Sequence, residues 1–248
     1  MRQGLTFVLL LLDCATPAWA QQRDTSSVYS VPDAGAGSPV SGMLRMQRSF
    51  LFIDVAHNAW ADRPEEIENY FFSGGFNFNL FYEVSLIGKV LKLAPGISFS
   101  NATVKHNSYI FTSRDTANNL ITVFTPIPDS VDYCKSKISA SYIDVPLEFR
   151  LAIRPDARGR NFWIAPGLRA GVRVSDFWKY KGEITHGTET KLKVYNLHGI
   201  EDFRYGISLR AGYYKFGLFA FYSLSDLFEE EAGPLLAPFS VGVCFTPL

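Results

Sequence analysis

The residue types able to do chemistry in this chain are sparse and scattered. Its four histidines, His57, His106, His186 and His198, stand far apart, and no HExxH segment or Cys/His cluster accompanies them. The spacing that gathers ligands round a metal is therefore missing, and each histidine reads as a polar loop or strand-end residue. There is no GxSxG elbow and no glycine-rich phosphate loop. The nearest approach to a nucleophile with its base is Ser175 beside Asp176, or His198 beside Glu201. A hydroxyl needs such a base to attack an ester, but histidines and acids in loops are ordinarily just solvated. Glu229, Glu230 and Glu231 offer oxygens to a divalent cation, though an acidic run of this kind reads first as solvated surface. Neither a metal nor a cofactor is expected.

The charges with the more orderly spacing lie elsewhere. Glu83, Asp144, Glu148, Arg150, Arg169, Arg173, Arg204 and Arg210 all fall on the polar parity of segments that alternate polar with apolar residues. A period of two is the mark of a strand with unlike faces. Phe203, Tyr205, Ile207, Leu209, Ala211 and Tyr213 share one face, and Arg204, Gly206, Ser208, Arg210 and Gly212 share the other. Charges of both signs gathered on such faces must be paired or hydrated if they are buried.

The elements that would carry them are eight strands, near 49–59, 70–83, 91–100, 139–154, 162–174, 202–214, 217–225 and 238–246. In the first, Phe50, Leu51, Phe52 and Ile53 blur the alternation. In the third, Pro95 predicts a bulge or a strand end. The connections alternate in length: those near 60–69, 106–136, 180–200 and 226–236 are long and polar, and those between them are short. Within 106–136, residues 121–124 read as part of a hairpin extension. Long connections at one end and short turns at the other are the pattern of an outer-membrane barrel. The expected fold is thus all-β, an eight-stranded antiparallel up-and-down transmembrane β-barrel. The polar parity would face the lumen and the aromatic parity the lipid. Phe162, Phe203, Tyr213, Phe239 and Phe245 would then lie at the membrane interfaces. Eight strands leave room only for side chains, so the eight charges read as a salt-bridged plug, with a narrow ion path as the alternative. Glycines at 167, 171, 206, 212 and 217 read as packing space in so small a barrel.

The rest of the chain is consistent with export. Residues 1–20 have Arg2, an apolar stretch from Leu5 to Leu12, and Ala18-Trp19-Ala20, which reads as a signal peptide cut before Gln21. Cys14 raises a lipid-anchored alternative, opposed by Asp13 where a small residue is needed. Residues 21–47 are rich in Ser, Pro, Gly, Asp and Ala and read as a disordered periplasmic leader, with the barrel expected over 48–247. A formal net charge of zero gives no reason to expect nucleic acid as a partner. Hydrophobic content of 47% excludes disorder for most of the chain. Once Cys14 is removed, Cys134 and Cys244 remain, too few for a disulfide framework.

Three segments also carry a family resemblance. SYIDVPLEFRLAI at 141–153 and FWIAPGLRAGVRVSD at 162–176 resemble consecutive strands of the PorT-like outer-membrane β-barrel proteins of Bacteroidota. The stretch 203–245 resembles that family's closing three strands, its most specific part being Tyr222-Ser223-Leu224 with Asp226-Leu227-Phe228, an acidic loop and Pro238. The terminal Thr246-Pro247-Leu248 departs from the last-residue aromatic common in such barrels, a part Phe245 would take. The resemblance implies a barrel in the outer membrane and, for one branch, service to a protein secretion apparatus.

The expected function is that of a non-enzymatic scaffold that presents external loops or docks partners. Its surroundings would be outer-membrane lipid and lipopolysaccharide, and its partners proteins of a secretion system. The alternatives are a lipid-modifying membrane enzyme, a narrow pore and a soluble barrel of the lipocalin kind, which would turn its aromatic face inward.

Overall fold

A computed structural model describes residues 45–247 apart from 88–89, 117, 129, 132, 154–159 and 186–187. The expected signal peptide, most of the expected leader, Cys14 and His186 lie outside the described residues. The strands are β1 (Arg45–Trp60), β2 (Gly74–Ile87), β3 (Leu91–Lys105), β4 (Ser108–Arg114), β5 (Leu120–Pro126), β6 (Tyr133–Ile153), β7 (Phe162–Thr185), β8 (Thr188–Tyr195), β9 (Phe203–Tyr213), β10 (Phe216–Ser223) and β11 (Pro238–Phe245). Eight of them, β1, β2, β3, β6, β7, β9, β10 and β11, pair in that order as an antiparallel meander, and β11 closes the ring on β1. Closure leaves no free edge at membrane depth, the condition a sheet must meet to sit in lipid.

The two faces divide as the alternation requires. Along β6 the outward positions Ile143, Val145, Leu147, Phe149, Leu151 and Ile153 are all apolar. That run covers about 33 Å of strand, which at a tilt of about 40° is a belt about 25 Å high, the height of a hydrocarbon core. Leu80, Ile97, Leu168, Leu218 and Val243 continue the belt and are more than half exposed, a pattern suited to contact with lipid. An aromatic rim marks the short-turn end, where Phe162 packs on Tyr213 and Phe216 on Phe245 with ring centres 4.8 and 5.0 Å apart. The lipocalin alternative requires the reverse arrangement and is contradicted: the aromatic parity of β9 faces out and the arginine parity faces in.

Several boundaries differ from expectation. β1 starts at Arg45, inside the predicted leader. Pro95 neither ends nor bulges β3, because Phe81 pairs with Gly96 and Val84 with Leu93 in one unbroken register. The segments read as irregular loops contain strands: β6 begins at Tyr133, β7 runs on to Thr185, and β8 returns along it. The hairpin expected around 121–124 is present as β4 with β5. In β7 the register slips by one residue, with Ser141 opposite Ser175 but Tyr142 opposite Arg173. The extra residue, Val174, is a β-bulge, and it exchanges the faces of the strand beyond it. Arg169 and Gly171 point inward by odd number, whereas Asp176, Trp178 and Tyr180 are buried by even number.

Candidate functional site

Inside the ring, the parity of six strands converges four carboxylates and five cations. Arg210 has no exposure and donates from Nη2 to Asp54 Oδ2 at 2.7 Å, while its Nη1 meets Glu148 Oε1. Glu148 also accepts from Arg150 Nε at 3.1 Å and from Arg150 Nη2 at 3.0 Å. Arg150 extends the chain to Glu83 at 2.7 Å, and Lys92 closes it there at 2.6 Å. One layer nearer the long connections, Arg204 forks onto Asp144 through Nε at 2.9 Å and Nη2 at 2.7 Å. Arg169 lies between the layers, donating to Asn79 Oδ1 at 3.1 Å and standing 3.8 Å from Asp144. Asn77 and Asn79 also donate to Asp54 Oδ2, at 3.1 and 2.9 Å.

The guanidinium planes rest on rings that share the lumen. Arg204 lies 3.7 Å from the Tyr142 ring centre, Arg150 4.4 Å from Phe81 and Arg210 4.8 Å from Phe219. Such stacking stabilises a desolvated cation and fills space that water would otherwise occupy. Gly171 is required here: a Cβ at that position would lie 2.1 Å from Asp144 Oδ1. Towards the short turns the lumen opens into a cavity of about 450 Å³, lined by Phe50, Phe52, Glu83, Lys92, Arg150 and Trp163. Its inner wall is the Arg150 ion-pair chain.

Of the eight charges picked out by parity, seven meet in this network. The eighth, Arg173, does not belong to it. It sits beside the β7 bulge, half-buried at the outer rim, and pairs with Asp176 and Asp202. Asp54 was missed, because the apolar run at 50–53 hides the alternation of β1, in which Phe52, Asp54, Ala56 and Asn58 are buried. Lys92 was likewise missed as a partner of Glu83.

The long connections build a second feature, a folded cap. Trp60, Ile67, Ile110, Trp178, Ile200 and Phe228 belong to one buried apolar cluster, to which every long connection contributes. Hairpin β4–β5 is pinned across it. Thr122 donates its N–H to the Ala232 carbonyl at 2.7 Å and its hydroxyl to the His198 carbonyl at 2.6 Å. Phe124 packs edge-on against Trp60 and Phe228, ring centres 6.1 and 5.8 Å apart.

His106, expected to be a polar loop or strand-end residue, directly follows β3 and is fully buried beneath this cap. Its Nδ1 accepts from the Ser108 N–H at 3.2 Å, which leaves the proton on Nε2. Burial pushes its pKa down to about 3, so it is neutral. His57 stacks on Phe71. The ring of His198 meets the Leu120 carbonyl at 3.0 Å. Asp176 holds the Leu197 N–H at 2.8 Å, which commits it to the loop rather than to Ser175. Glu229, Glu230 and Glu231 are exposed. Among the described residues no cluster of His, Cys, Asp and Glu is arranged to hold a metal. Cys134 and Cys244 are both free, the first exposed and the second buried in the lumen wall.

The match to a known protein family agrees with this architecture. The sequence pattern of the family described as outer membrane protein beta-barrel domain matches residues 37–229. No curated protein matches the chain. Among solved structures, the chain is similar to Ail, the attachment invasion locus protein of Yersinia pestis, crystallised with the heparin analogue sucrose octasulfate. The identity is 13%, covering 80% of this chain and 97% of that one, with a TM-score of 0.31. A second similar structure, described under asymmetric conductivity of engineered proteins, is 9% identical over 80% of this chain and 99% of that one, with a TM-score of 0.20.

Proposed function

This chain belongs to the outer membrane protein beta-barrel domain family, and from that premise we propose that it is a non-enzymatic scaffold, using a sealed barrel to hold a rigid cap at the cell surface. The observation that carries this reading is the cap core. External loops that served only as connections would have no need of a shared apolar cluster reaching from Ile67 to Phe228. A platform for a protein partner does, because preorganised loops lose less entropy on binding. The ion-paired, ring-filled lumen favours a plug over a conduit. The engagement of Asp176 and His198 with backbone groups gives neither pair the free base that acyl transfer demands.

Residues 1–20 act in this reading as the export signal. The resemblance of 141–153, 162–176 and 203–245 to PorT-like barrels of Bacteroidota makes a secretion apparatus the process such a platform would serve. The test is a chain in which residues 108–126 are replaced by a short Gly/Ser turn. Outer-membrane recovery and heat-modifiable gel migration should persist, while the excised form fails to restore secretion to a gene-deleted strain. Full restoration would return the function to the barrel wall and sink the platform reading.

A further inference from the structure

Beyond the lipid belt, the outward face of the wall changes character within a few residues. On β6 the apolar positions end at Ile143, and the same face continues as Ser141, Ser139, Lys137 and Lys135. Register then aligns lysines across four strands. Lys105 lies opposite Lys137, Lys137 opposite Lys179, and Lys179 opposite Lys193. One step further out, Lys135 lies opposite Lys181 and Lys181 opposite Lys191. Directly opposed residues share a face, so seven lysines stand together on one side of the β3–β6–β7–β8 sheet.

This arrangement opposes folding. Like charges directly across a ladder destabilise it. The Lys137 ammonium shows the strain: burial first, then Lys135, Lys179, Lys105 and Lys193, depress its pKa. Among the described residues no ion pair involves Lys105, Lys135, Lys137, Lys179, Lys191 or Lys193. Protection of an open sheet edge by charge accounts for lysines on β8 alone. Lys137 and Lys179 are flanked by paired strands on both sides, where edge protection has no use for them.

The row nearer the membrane explains the direction of the site. Phe177 and Tyr195 face each other there, with ring centres 6.0 Å apart. Lys193 Nζ lies 4.1 Å from the Phe177 ring centre and 4.4 Å from that of Tyr195, and Lys137 Nζ lies 5.7 Å from Phe177. The ammonium groups therefore lean back over an aromatic interface towards the bilayer. From Ile143 to Lys137 is about 20 Å of strand, or about 15 Å of height at a barrel tilt of about 40°. That is the layer of charged headgroups above the hydrocarbon, and the face looks sideways into it. A soluble polyanion would instead be met by lysines on the tip of the cap.

We propose that this lysine face binds the phosphorylated headgroups of outer-leaflet glycolipid, fixing the barrel to its annulus on one side. The site rests on the outer-membrane reading above and names the lipid chemistry that reading leaves open.

The test uses the full chain folded in dodecyl maltoside, titrated with bisphosphorylated lipid A and followed by native mass spectrometry. The variant K137Q/K179Q/K193Q should bind about a hundredfold more weakly, at roughly 1 kcal/mol for each cation near a charged surface. K137R/K179R/K193R should bind as the native chain does, and lipid A stripped of its phosphates should bind both weakly. Equal binding by the Gln variant and the native chain would overturn the site. So would equal binding of the dephosphorylated lipid, or tighter binding of a heparin oligosaccharide than of lipid A. Heat-modifiable migration of the Gln variant verifies its fold separately. Fractionation of cells tests the location of the protein independently of any lipid affinity.

Discussion

Arg210 is the side chain whose removal leaves the most behind. Truncating it to Ala leaves Asp54 with only the Asn77 and Asn79 amides and Glu148 with only Arg150, each carboxylate having almost no exposure. Breaking a buried pair from one side costs about 3–5 kcal/mol, far more than a surface pair. Arg210→Ala is therefore expected to lower the urea midpoint for unfolding from lipid vesicles, read by intrinsic fluorescence. Arg173→Ala, at the half-open rim, should shift it much less. An Arg210→Ala midpoint equal to the native one would show that the network contributes nothing to stability. How these residues were legible follows from the same physics. Parity assigns a side chain to a face, so Glu83, Asp144, Glu148, Arg150, Arg169, Arg204 and Arg210 could be placed in the lumen from alternation alone. Parity does not give the stagger between strands, so which acid meets which base was hidden. Asp54 was hidden for a different reason. Phe52 is apolar yet faces inward, where it stacks on Arg150 at 4.7 Å, and an aromatic that serves a cation breaks the simple rule that apolar residues face lipid.

At the scale of elements, the barrel strands were readable and the cap, apart from the hairpin around 121–124, was not. β7 illustrates the difference. Its membrane half alternates cleanly, but Val174 exchanges the faces, and the half beyond reads as a polar loop because Lys179 and Lys181 interleave with Trp178 and Tyr180. The bulge turns Trp178 and Tyr180 into the cap core while leaving the lysines outside. No count of polar residues in a window detects this, since the signal is a shift of one residue. The cap carries its own prediction through His106. Its folded pKa of about 3 lies below the ordinary histidine value of 6.5, so between those values the unfolded cap binds more protons. Stability from this group is complete above pH 6.5 and is lost as pH falls through the window towards 3. Near-ultraviolet circular dichroism of the folded chain should show aromatic packing weaken across that range, and His106→Phe should flatten the dependence. An unchanged pH profile in the variant would place the acid sensitivity in other groups.

For the whole molecule, alternation, loop-length parity and the even strand count sufficed to anticipate a closed eight-stranded barrel, because lipid imposes all three together. The orientation makes a separate prediction. Cys134 is exposed at the long-connection end and Cys244 is buried in the wall. A membrane-impermeant maleimide applied to intact cells should label Cys134, and Cys244 should react only after denaturation. Loss of labelling in Cys134→Ser would confirm the site of reaction, whereas labelling only in broken cells would invert the barrel.

The closing seam between β1 and β11 has a consequence for how such a chain is built. Asp54 belongs to the first strand and its partner Arg210 to the ninth, 156 residues later. A half-wound sheet therefore holds Arg210 with one of its two carboxylates missing, and the missing one arrives only when the seam shuts. Zipping the last hydrogen-bonded ladder and neutralising the centre of the barrel are then a single event. Assembly acquires a ratchet: the final strand to dock cannot peel away without re-exposing a charge to the interior of the membrane.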